Sequence, residues 1–318
     1  MQKVNVGFIG AGNMANSVHY PSLAEMKDVN IVSICDLDEK RLNQTADKYK
    51  IKRRYTNYKE MLEKEKLDAV YIVVSPKVLK EIALYCLSQG KHVFMEKPPG
   101  VSVSEAKEMA NMASKHNCKT LVAFNRRYSP VIVRATQFVL ERGTPTLGLV
   151  EFHKDMVGKR FSYEISTLVS DIIHVVDVLR AVLGKVKEVT GYVDHPFSDW
   201  NNCYNALIKF ENNAVGIISA NRSSGVRYER FEFHAREIAA YIRAPEMAEI
   251  YKDNKTKPLI LKGEELIGSD EWRKTYGYFA ESRHFINCIK EDKKPLTNLD
   301  DAVKTMELVA MIETGNRC

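Results

Sequence analysis

The first 125 residues alternate short apolar stretches with longer segments of helical period. The apolar stretches are brief and rich in Val and Ile, as expected of strands buried on both faces of a sheet. They are Val4–Ile9, Asn30–Cys35, Ala69–Val74, His92–Met95 and Thr120–Phe124. The helical segments between them are Asn13–Lys27, Asp38–Tyr49, Lys77–Gln89 and Val103–His116. This alternation predicts parallel strands joined by right-handed crossovers, which is a doubly wound α/β sheet.

Beyond residue 145 the pattern consists mainly of strands. The predicted strands are Thr146–His153, Val186–Val193, Tyr204–Phe210, Ala214–Ala220 and Arg227–His234. The third and fourth flank a polar turn at 211–213, whose Asn residues tolerate positive φ, so this pair predicts a hairpin. The predicted helices are Ile165–Leu183, Glu271–Ile289 and Leu299–Thr314. Grouped strands with few helices indicate an antiparallel sheet with helices on one face, an α+β domain.

Two of the early helices carry capping signals. Ser102 and Glu105 have the spacing of a capping box at the start of Val103–His116. Gly90 follows Lys77–Gln89 and is predicted to be its C-cap.

The first strand leads directly into the sequence Gly10-Ala11-Gly12-Asn13-Met14-Ala15. Its pattern is G-x-G-x-x-A, in which the first glycine allows a tight turn and the second lets the backbone approach a pyrophosphate. The small alanine allows the helix to pack close to the strand. Because the motif follows a strand and opens a helix, it predicts a dinucleotide site that Gly10, Gly12, Asn13 and Met14 contact.

Asp36 ends the second strand, 24 residues after Gly12. A carboxylate at this position accepts hydrogen bonds from the adenosine ribose and repels a 2′-phosphate, which favours NAD. Lys40 and Arg41 are close enough in the chain to leave NADP open. The alternative is that Asp36 caps the next helix.

Two further polar segments follow predicted strands of the same sheet. Ser75-Pro76 follows Ala69–Val74, and Glu96-Lys97 follows His92–Met95. Ligands of open α/β sheets bind outside the carboxyl ends of the strands, so Lys97 is expected near the group that reacts. The alternative is an ordinary solvated lysine.

Length and composition narrow the class of protein. The length of 318 residues favours two domains. We predict a Rossmann domain at 1–122 and a substrate and oligomerisation domain at 123–318. The last helix is expected to pack back on the first domain. No apolar run reaches 18 residues, which excludes a helical membrane span, and the chain starts without a secretion signal. The charge of +6 is scattered, which excludes a nucleic-acid groove but mildly favours anionic ligands.

The six cysteines are spread along the chain, all more than 25 residues apart. This spacing excludes close zinc pairs, and no metal site is expected. It is typical of free thiols in a reducing cytoplasm.

The sequence resembles the Gfo/Idh/MocA oxidoreductases. The resemblance rests on the glycine turn, Asp36 and four further segments: Glu96-Lys97-Pro98, Phe124-Asn125-Arg126-Arg127-Tyr128-Ser129-Pro130, Asp171-Ile172-Ile173-His174-Val175-Val176-Asp177 and Arg283-His284-Phe285-Ile286. It implies a Rossmann domain with an open, mostly antiparallel second sheet. It also implies NAD- or NADP-dependent oxidation or reduction of sugars, sugar derivatives and cyclic polyols, and a homodimer or homotetramer formed through that sheet.

The resemblance also implies roles for single residues. Lys97 and His174 become the catalytic pair, and Glu96, Ser75 and Pro76 lie near the cofactor. Arg127 lies near the substrate or the nicotinamide, and the bond before Pro98 is expected to be cis. Of the two neighbouring arginines, Arg127 is predicted to reach the ligand and the other to tie the domains together.

The helix that carries His174 departs from the family pattern. Ser170 stands where the family usually has an aspartate, and Asp171 lies three residues before His174. On a regular helix, Asp171 and Asp177 lie about 60° to either side of His174. We therefore expect His174 to be the base, one of these carboxylates to fix its tautomer, and Asp177 and Tyr163 to line the substrate site. The alternative is a polar stripe that faces water or an interdomain pocket.

Two other functions remain open. The family includes a non-catalytic sugar-responsive regulator, so an NAD-binding sensor is one alternative, which Ser170 favours and the pair Lys97 and His174 opposes. An NAD-dependent glycosidase, in which the cofactor is reduced and restored in one cycle, is the other.

Overall fold

The computed structural model describes residues 3–159 and 165–315. The strands are β1 Val4–Ile9, β2 Val29–Cys35, β3 Arg53–Tyr55, β4 Ala69–Ile72, β5 His92–Met95, β6 Thr120–Val122, β7 Leu147–Asp155, β8 Val186–Asp194, β9 Cys203–Phe210, β10 Val215–Asn221, β11 Ser223–Ala235, β12 Ile238–Arg243, β13 Met247–Lys252 and β14 Leu259–Lys262. The α-helices are α1 Tyr20–Ala24, α2 Glu39–Lys48, α3 Tyr58–Lys64, α4 Pro76–Ser88, α5 Val103–Lys115, α6 Pro130–Leu140, α7 Ile173–Leu183, α8 Gly263–Ile267, α9 Trp272–Thr275, α10 Tyr278–Lys290 and α11 Leu299–Thr314. Two π turns, Ala15–His19 and Leu168–Ile172, precede α1 and α7, and a 3₁₀ turn spans Asn125–Tyr128.

The chain divides into two compact units. The first comprises Met1–Ala123 and Tyr278–Val303, and the second comprises Phe124–Gly277 and Lys304–Cys318. The first unit contains a parallel sheet of order β3-β2-β1-β4-β5-β6. The predicted doubly wound sheet is therefore confirmed. Its strand β3 was not predicted, because Arg53 and Arg54 make this short edge strand polar and exposed.

Helix α10 packs within the first unit. The Phe285 ring lies 5.9 Å from that of Tyr71 and 5.8 Å from that of Phe94. The predicted single helix Glu271–Ile289 is in fact two helices, α9 and α10, which are separated at Gly277. Gly277 has φ of +89°, and a Cβ there would lie 2.4 Å from the backbone oxygen of Asn125. Only glycine adopts this conformation without strain, and the chain turns there.

The second unit contains an open sheet of order β14-β13-β12-β11-β7-β10-β9-β8. Among the described strands, β7 and β10 pair in parallel and the other neighbours pair antiparallel, which confirms the predicted open, mostly antiparallel sheet. The predicted hairpin is β9 and β10, with Asn213 at φ +69° in its turn. A Cβ at Gly148 would lie 2.8 Å from Leu179, so α7 packs tightly against one face of the sheet.

Both capping signals have structural counterparts. Gly90 has φ of +69° and its N–H donates to Leu87 O at 2.9 Å. Ser102 Oγ accepts a hydrogen bond from the Glu105 N–H at 3.3 Å, while Glu105 Oε2 accepts from the N–H of Val101 at 2.8 Å. The donors at the start of α5 are thus satisfied as in a capping box, with the return bond one residue earlier.

Candidate active site

The turn after β1 leaves open space above its second glycine. Gly10 has φ of +110°, and a Cβ there would lie 2.1 Å from the carbonyl oxygen of Val73. Only glycine fits, because the conformation and the neighbouring strand both exclude a side chain. A Cβ at Gly12, by contrast, would meet no atom within 4 Å. Asn13 and Met14 begin the helix directly afterwards, so this open space lies at a helix N-terminus and suits a pyrophosphate.

Asp36 lies beside this turn, held by backbone and side-chain donors. Its Oδ2 accepts a hydrogen bond from the Ala11 N–H at 2.7 Å. Its Oδ1 accepts from the Asp38 N–H at 2.8 Å and from Arg41 Nη2 at 3.1 Å. The N-cap of α2 is Asp38, which accepts from the Arg41 N–H at 3.0 Å. The alternative in which Asp36 caps this helix is therefore wrong.

A buried hydrogen-bond chain connects the first π turn to the backbone of Lys97. His19 is fully buried, and its Nε2 lies 2.8 Å from Glu96 Oε1. Glu96 Oε2 accepts from the Lys97 N–H at 3.1 Å. Because both carboxylate oxygens of Glu96 are engaged, the peptide that leads into Lys97 is held in one orientation.

Lys97 and Ser75 follow neighbouring strands. β4 and β5 pair in parallel, with Ile72 opposite Met95, so the segments after them emerge at one edge of the sheet. Ser75 immediately precedes α4, whose first residue is Pro76. The Lys97–Pro98 peptide bond is cis, as the resemblance implied.

The two neighbouring arginines of the 3₁₀ turn have different partners. Arg126 makes a bidentate pair with Glu229, at 2.8 and 2.9 Å, and both side chains are almost fully buried. Arg127 Nη1 lies 3.4 Å from Asp177 Oδ2. Asp177 also accepts from Thr305 Oγ1 at 2.8 Å and is fully buried.

The second π turn displaces the polar residues before His174 from regular helical positions. Ser170 and Asp171 lie in the π turn Leu168–Ile172, whereas His174 lies in α7. The angles of about 60° expected on a regular helix therefore do not apply to Asp171, because a π turn has more residues per turn. His174 is buried, and its ring meets that of Phe124 edge-on at 6.4 Å. Because these polar residues are all buried, the alternative in which the stripe faces water is wrong, whereas the alternative of an interdomain pocket stays open.

Asp171 is paired with two cations. Both of its oxygens accept from Lys154 Nζ at 2.8 Å, and its Oδ2 lies 2.9 Å from Arg222 Nη2. Arg222 is fully buried, and its Nη1 donates to the backbone oxygen of Phe152. Burial lowers the pKa of Lys154 below the ordinary value for a lysine, against the opposing effect of Asp171.

The remaining expectations concern a tyrosine, metals and membranes. Tyr163 lies outside the described residues. Within residues 3–159 and 165–315, no group of three or more His, Cys, Asp or Glu side chains is arranged to hold a metal ion. Among the same residues, no helix is long and apolar enough to cross a bilayer.

Comparisons with known proteins agree with this geometry. Residues 4–124 match the family model of the Gfo/Idh/MocA oxidoreductases, described as an oxidoreductase family with an NAD-binding Rossmann fold. A myo-inositol 2-dehydrogenase of Thermotoga maritima is 24% identical over 320 residues, which span 94% of this chain and 92% of the relative. Residues 4–124 of the chain belong to this NAD-binding oxidoreductase family. NAD is accordingly the cofactor of its first unit, and the open turn above Gly12 fits that group.

Three further matches extend over nearly the whole oxidoreductase. A scyllo-inositol 2-dehydrogenase (NAD(+)) of Bacillus subtilis is 24% identical and covers 95% of this chain and 89% of the relative. The crystal structure of a dehydrogenase from Chromobacterium violaceum superposes with a TM-score of 0.91, at 19% identity, covering 99% of this chain and 95% of that one. A levoglucosan dehydrogenase in complex with NADH and levoglucosan has a TM-score of 0.88, at 20% identity, with 98% and 97% covered.

Sequence reasoning missed three polar residues of this oxidoreductase, of which His19 and Arg222 are fully buried and Lys154 is half-buried. Each pairs with a carboxylate of the predicted site. His19 pairs with Glu96, whereas Lys154 and Arg222 pair with Asp171. A detectable signal existed for His19, because a histidine nine residues after Gly10 falls within the helix that the glycine motif opens. Lys154 is the second-last residue of β7 and Arg222 lies between β10 and β11, positions where cations are ordinarily solvated.

Proposed function

We propose that this oxidoreductase transfers a hydride between NAD and a CH–OH group of a sugar, sugar derivative or cyclic polyol. The observation that carries the proposal is the buried His174 on α7, the helix that also holds the buried Asp177, combined with the open glycine turn of an NAD-binding family. The full-length relatives named as inositol dehydrogenases support the substrate class.

The cofactor residues follow from the first unit. Gly10, Gly12, Asn13 and Met14 would hold the pyrophosphate, and Asp36 would accept hydrogen bonds from the adenosine ribose. Ser75, Pro76, Glu96 and Arg127 would complete the nicotinamide side. When bound, the nicotinamide supplies the hydride acceptor that no amino-acid side chain provides.

Lys97 and His174 carry out the proton transfer, and Asp171 and Asp177 assist them. His174 accepts the proton of the substrate hydroxyl, since an imidazole titrates near neutral pH. Lys97 donates a hydrogen bond to the same oxygen and stabilises its negative charge. Asp171 orients the imidazole through the start of α7, and Asp177 with Tyr163 positions the substrate.

Turnover tests these roles directly. Replacing Lys97 with Met, or His174 with Ala, is expected to lower kcat about 10²- to 10⁴-fold, the usual effect of losing an acid–base group. NADH absorbance is measured with a panel of sugars and polyols. Matched controls are Lys52→Met and His195→Ala, both exposed residues of the same types. Near-normal turnover of either active-site variant removes that residue from the mechanism.

The same assay separates the alternatives. Net NADH identifies a dehydrogenase, whereas product without net NADH identifies an NAD-dependent glycosidase. Binding of NAD and sugar without any product identifies a sensor.

We also propose the assembly and location of the protein. A homodimer or homotetramer would form through the exposed face of the second sheet. The five cysteines that the structure describes are free thiols, which suits the reducing cytoplasm.

A further inference from the structure

Three cationic side chains surround one buried aromatic ring in the second unit. The ring is that of Phe152, which is fully buried on β7. Lys154 Nζ lies 4.7 Å from its centroid, Arg222 Cζ lies 4.5 Å away and Arg227 Cζ lies 5.7 Å away. Cations that share a ring are stabilised by its quadrupole but repel one another.

A fourth cation joins this group through a second ring. Arg126 and Arg227 lie 5.3 and 5.6 Å from the ring centroid of Tyr276, and Arg227 Nη1 donates to the Tyr276 hydroxyl at 2.9 Å. We call Arg126, Lys154, Arg222 and Arg227 the cationic cluster.

The acids paired with the cationic cluster neutralise half of its charge. Asp171 pairs with Lys154 and Arg222, and Glu229 pairs with Arg126 and Arg227. The ion pairs between described residues therefore set four cations against two carboxylates, an excess of two positive charges. Because the cluster is only partly solvated, such an excess favours the binding of an anionic ligand.

The four side chains of the cationic cluster differ in their exposure to solvent. The side chain of Arg222 is fully buried, and that of Arg126 is 5% exposed. Among the residues that the structure describes, Arg222 Nε has no hydrogen-bond acceptor. Lys154 and Arg227 are more accessible, with side chains 24% and 45% exposed. The cluster therefore has a buried base and two cations that a ligand can reach.

The cluster lies on the side of the sheet that α7 covers. Gly148 faces α7, and because strand residues alternate between faces, Phe152 and Lys154 share that side. Asp171, which joins Lys154 to Arg222, lies in the π turn that leads into α7, three residues before His174. The cationic cluster is thus connected, through Asp171, to the start of α7, the helix that contains the proposed proton acceptor His174.

We propose that the substrate of this oxidoreductase carries an anionic group, a carboxylate or a phosphate ester on the sugar or polyol. Lys154 and Arg227 bind this group, while Arg222 and Asp171 hold Lys154 in place. Anion binding also orients the substrate carbon that reacts relative to His174. The inference rests on the proposed function, whose substrate class it narrows.

Binding of matched substrate sets tests the proposal without requiring turnover. Each set contains a neutral sugar or polyol and its phosphate ester, and the two sugar sets also contain the acid. The sets are glucose, glucuronate and glucose 6-phosphate; galactose, galacturonate and galactose 6-phosphate; and myo-inositol with inositol 1-phosphate. Titration calorimetry on the NAD-loaded protein gives the Kd of each. We expect at least one anionic member to bind tenfold or more tightly than its neutral partner, and its identity distinguishes carboxylate from phosphate.

Substitutions in the cationic cluster test whether it causes the preference for anionic substrates. Lys154→Met is expected to reduce it to less than about threefold, because a hydrogen-bonded charge pair is lost. Arg227→Gln, which removes the more exposed cation, gives an independent second test. The control is Lys209→Met, since Lys209 is an exposed lysine of the same unit that pairs with one carboxylate, Glu188, at 3.5 Å. The control is expected to keep the preference.

Two results overturn the proposal. One is the absence of any anionic member that binds more tightly than its neutral partner. The other is a preference that persists in both cluster variants. NADH formation is followed in parallel: oxidation of neutral sugars without an anionic preference overturns this inference alone, whereas anion binding without any NADH overturns the proposed function alone.

Discussion

At the scale of single residues, we predict that Asp36 selects NAD over NADP. Its carboxylate accepts a hydrogen bond from Arg41 at 3.1 Å. Asp36→Ser removes the charge that repels a 2′-phosphate and frees Arg41 to bind it. We expect the ratio of the Kd values for NAD and NADP to shift about 30- to 100-fold toward NADP. The shift has two causes, because the variant no longer repels the 2′-phosphate and Arg41 can form an ion pair with it. Fluorescence titration of both cofactors measures it.

The control for this prediction is the neighbouring carboxylate. Asp38 also faces Arg41, at 3.7 Å, but its role is to cap α2. Asp38→Ser should leave the cofactor ratio within about threefold, because serine is also an effective N-cap. An unchanged ratio in Asp36→Ser would show that Asp36 does not select the cofactor.

At the scale of secondary-structure elements, one carboxylate ties α10 to the parallel sheet of its unit. Asp28, just before β2, accepts from Arg283 at 2.7 and 3.0 Å and from Lys290 at 2.7 Å, and both donors lie on α10. These donors hold the pKa of Asp28 well below its usual range. Asp28→Asn is expected to lower the free energy of unfolding by roughly 1 kcal/mol at pH 7. Urea denaturation followed by circular dichroism measures the change.

The pH dependence of that difference follows from the sign of the shift. An acid whose pKa is lowered on folding stabilises the protein above its unfolded pKa and loses this effect as the pH falls. The difference between wild type and Asp28→Asn should therefore be constant from pH 5 to 8 and shrink below about pH 4. Asp292→Asn is the matched control, because Asp292 pairs with Lys119 in the same unit but is 91% exposed. A difference that grows toward low pH would contradict the prediction.

Elements buried on both faces were predictable from sequence, and elements defined by tertiary contacts were not. β1 and β5 have the predicted bounds because a central parallel strand has an uninterrupted apolar run. The π turns at Ala15–His19 and Leu168–Ile172 carry no such local signal. Each insertion is stabilised by distant partners, since His19 meets Glu96, 77 residues away, and Asp171 meets Lys154 on β7.

The residues of the candidate site also fall into those predictable from local sequence and those defined by tertiary contacts. The glycine turn and Asp36 were predictable because their chemistry depends on local spacing along one strand and one turn. Arg222 was not, because its only distinguishing property is that it is buried against Asp171 and Phe152, which neither its neighbours nor its residue type indicates.

At the scale of the whole molecule, the second sheet has one face covered and one face open. On the covered side, Ala206, Ile218 and Val150 are cross-strand neighbours and all are buried. On the open side, Leu207, Ile217 and Leu149 are neighbours in the same way, and Leu207 is 48% exposed. Contiguous apolar side chains on an exposed sheet face are typical of a protein–protein interface. The proposed homo-oligomer would bury this row.

Leu207→Glu tests that assembly. A charge at the centre of the interface would be buried without a partner in the oligomer but solvated in the monomer, so the variant is expected to be monomeric at micromolar concentration. Light scattering coupled to size-exclusion chromatography measures the mass. Leu140→Glu on α6 is the control, because Leu140 is also 48% exposed but lies outside the sheet. If both variants keep the mass of the wild-type oligomer, the open face does not form the interface. If the wild type is itself a monomer, the apolar row remains exposed in solution, and the proposed assembly is wrong.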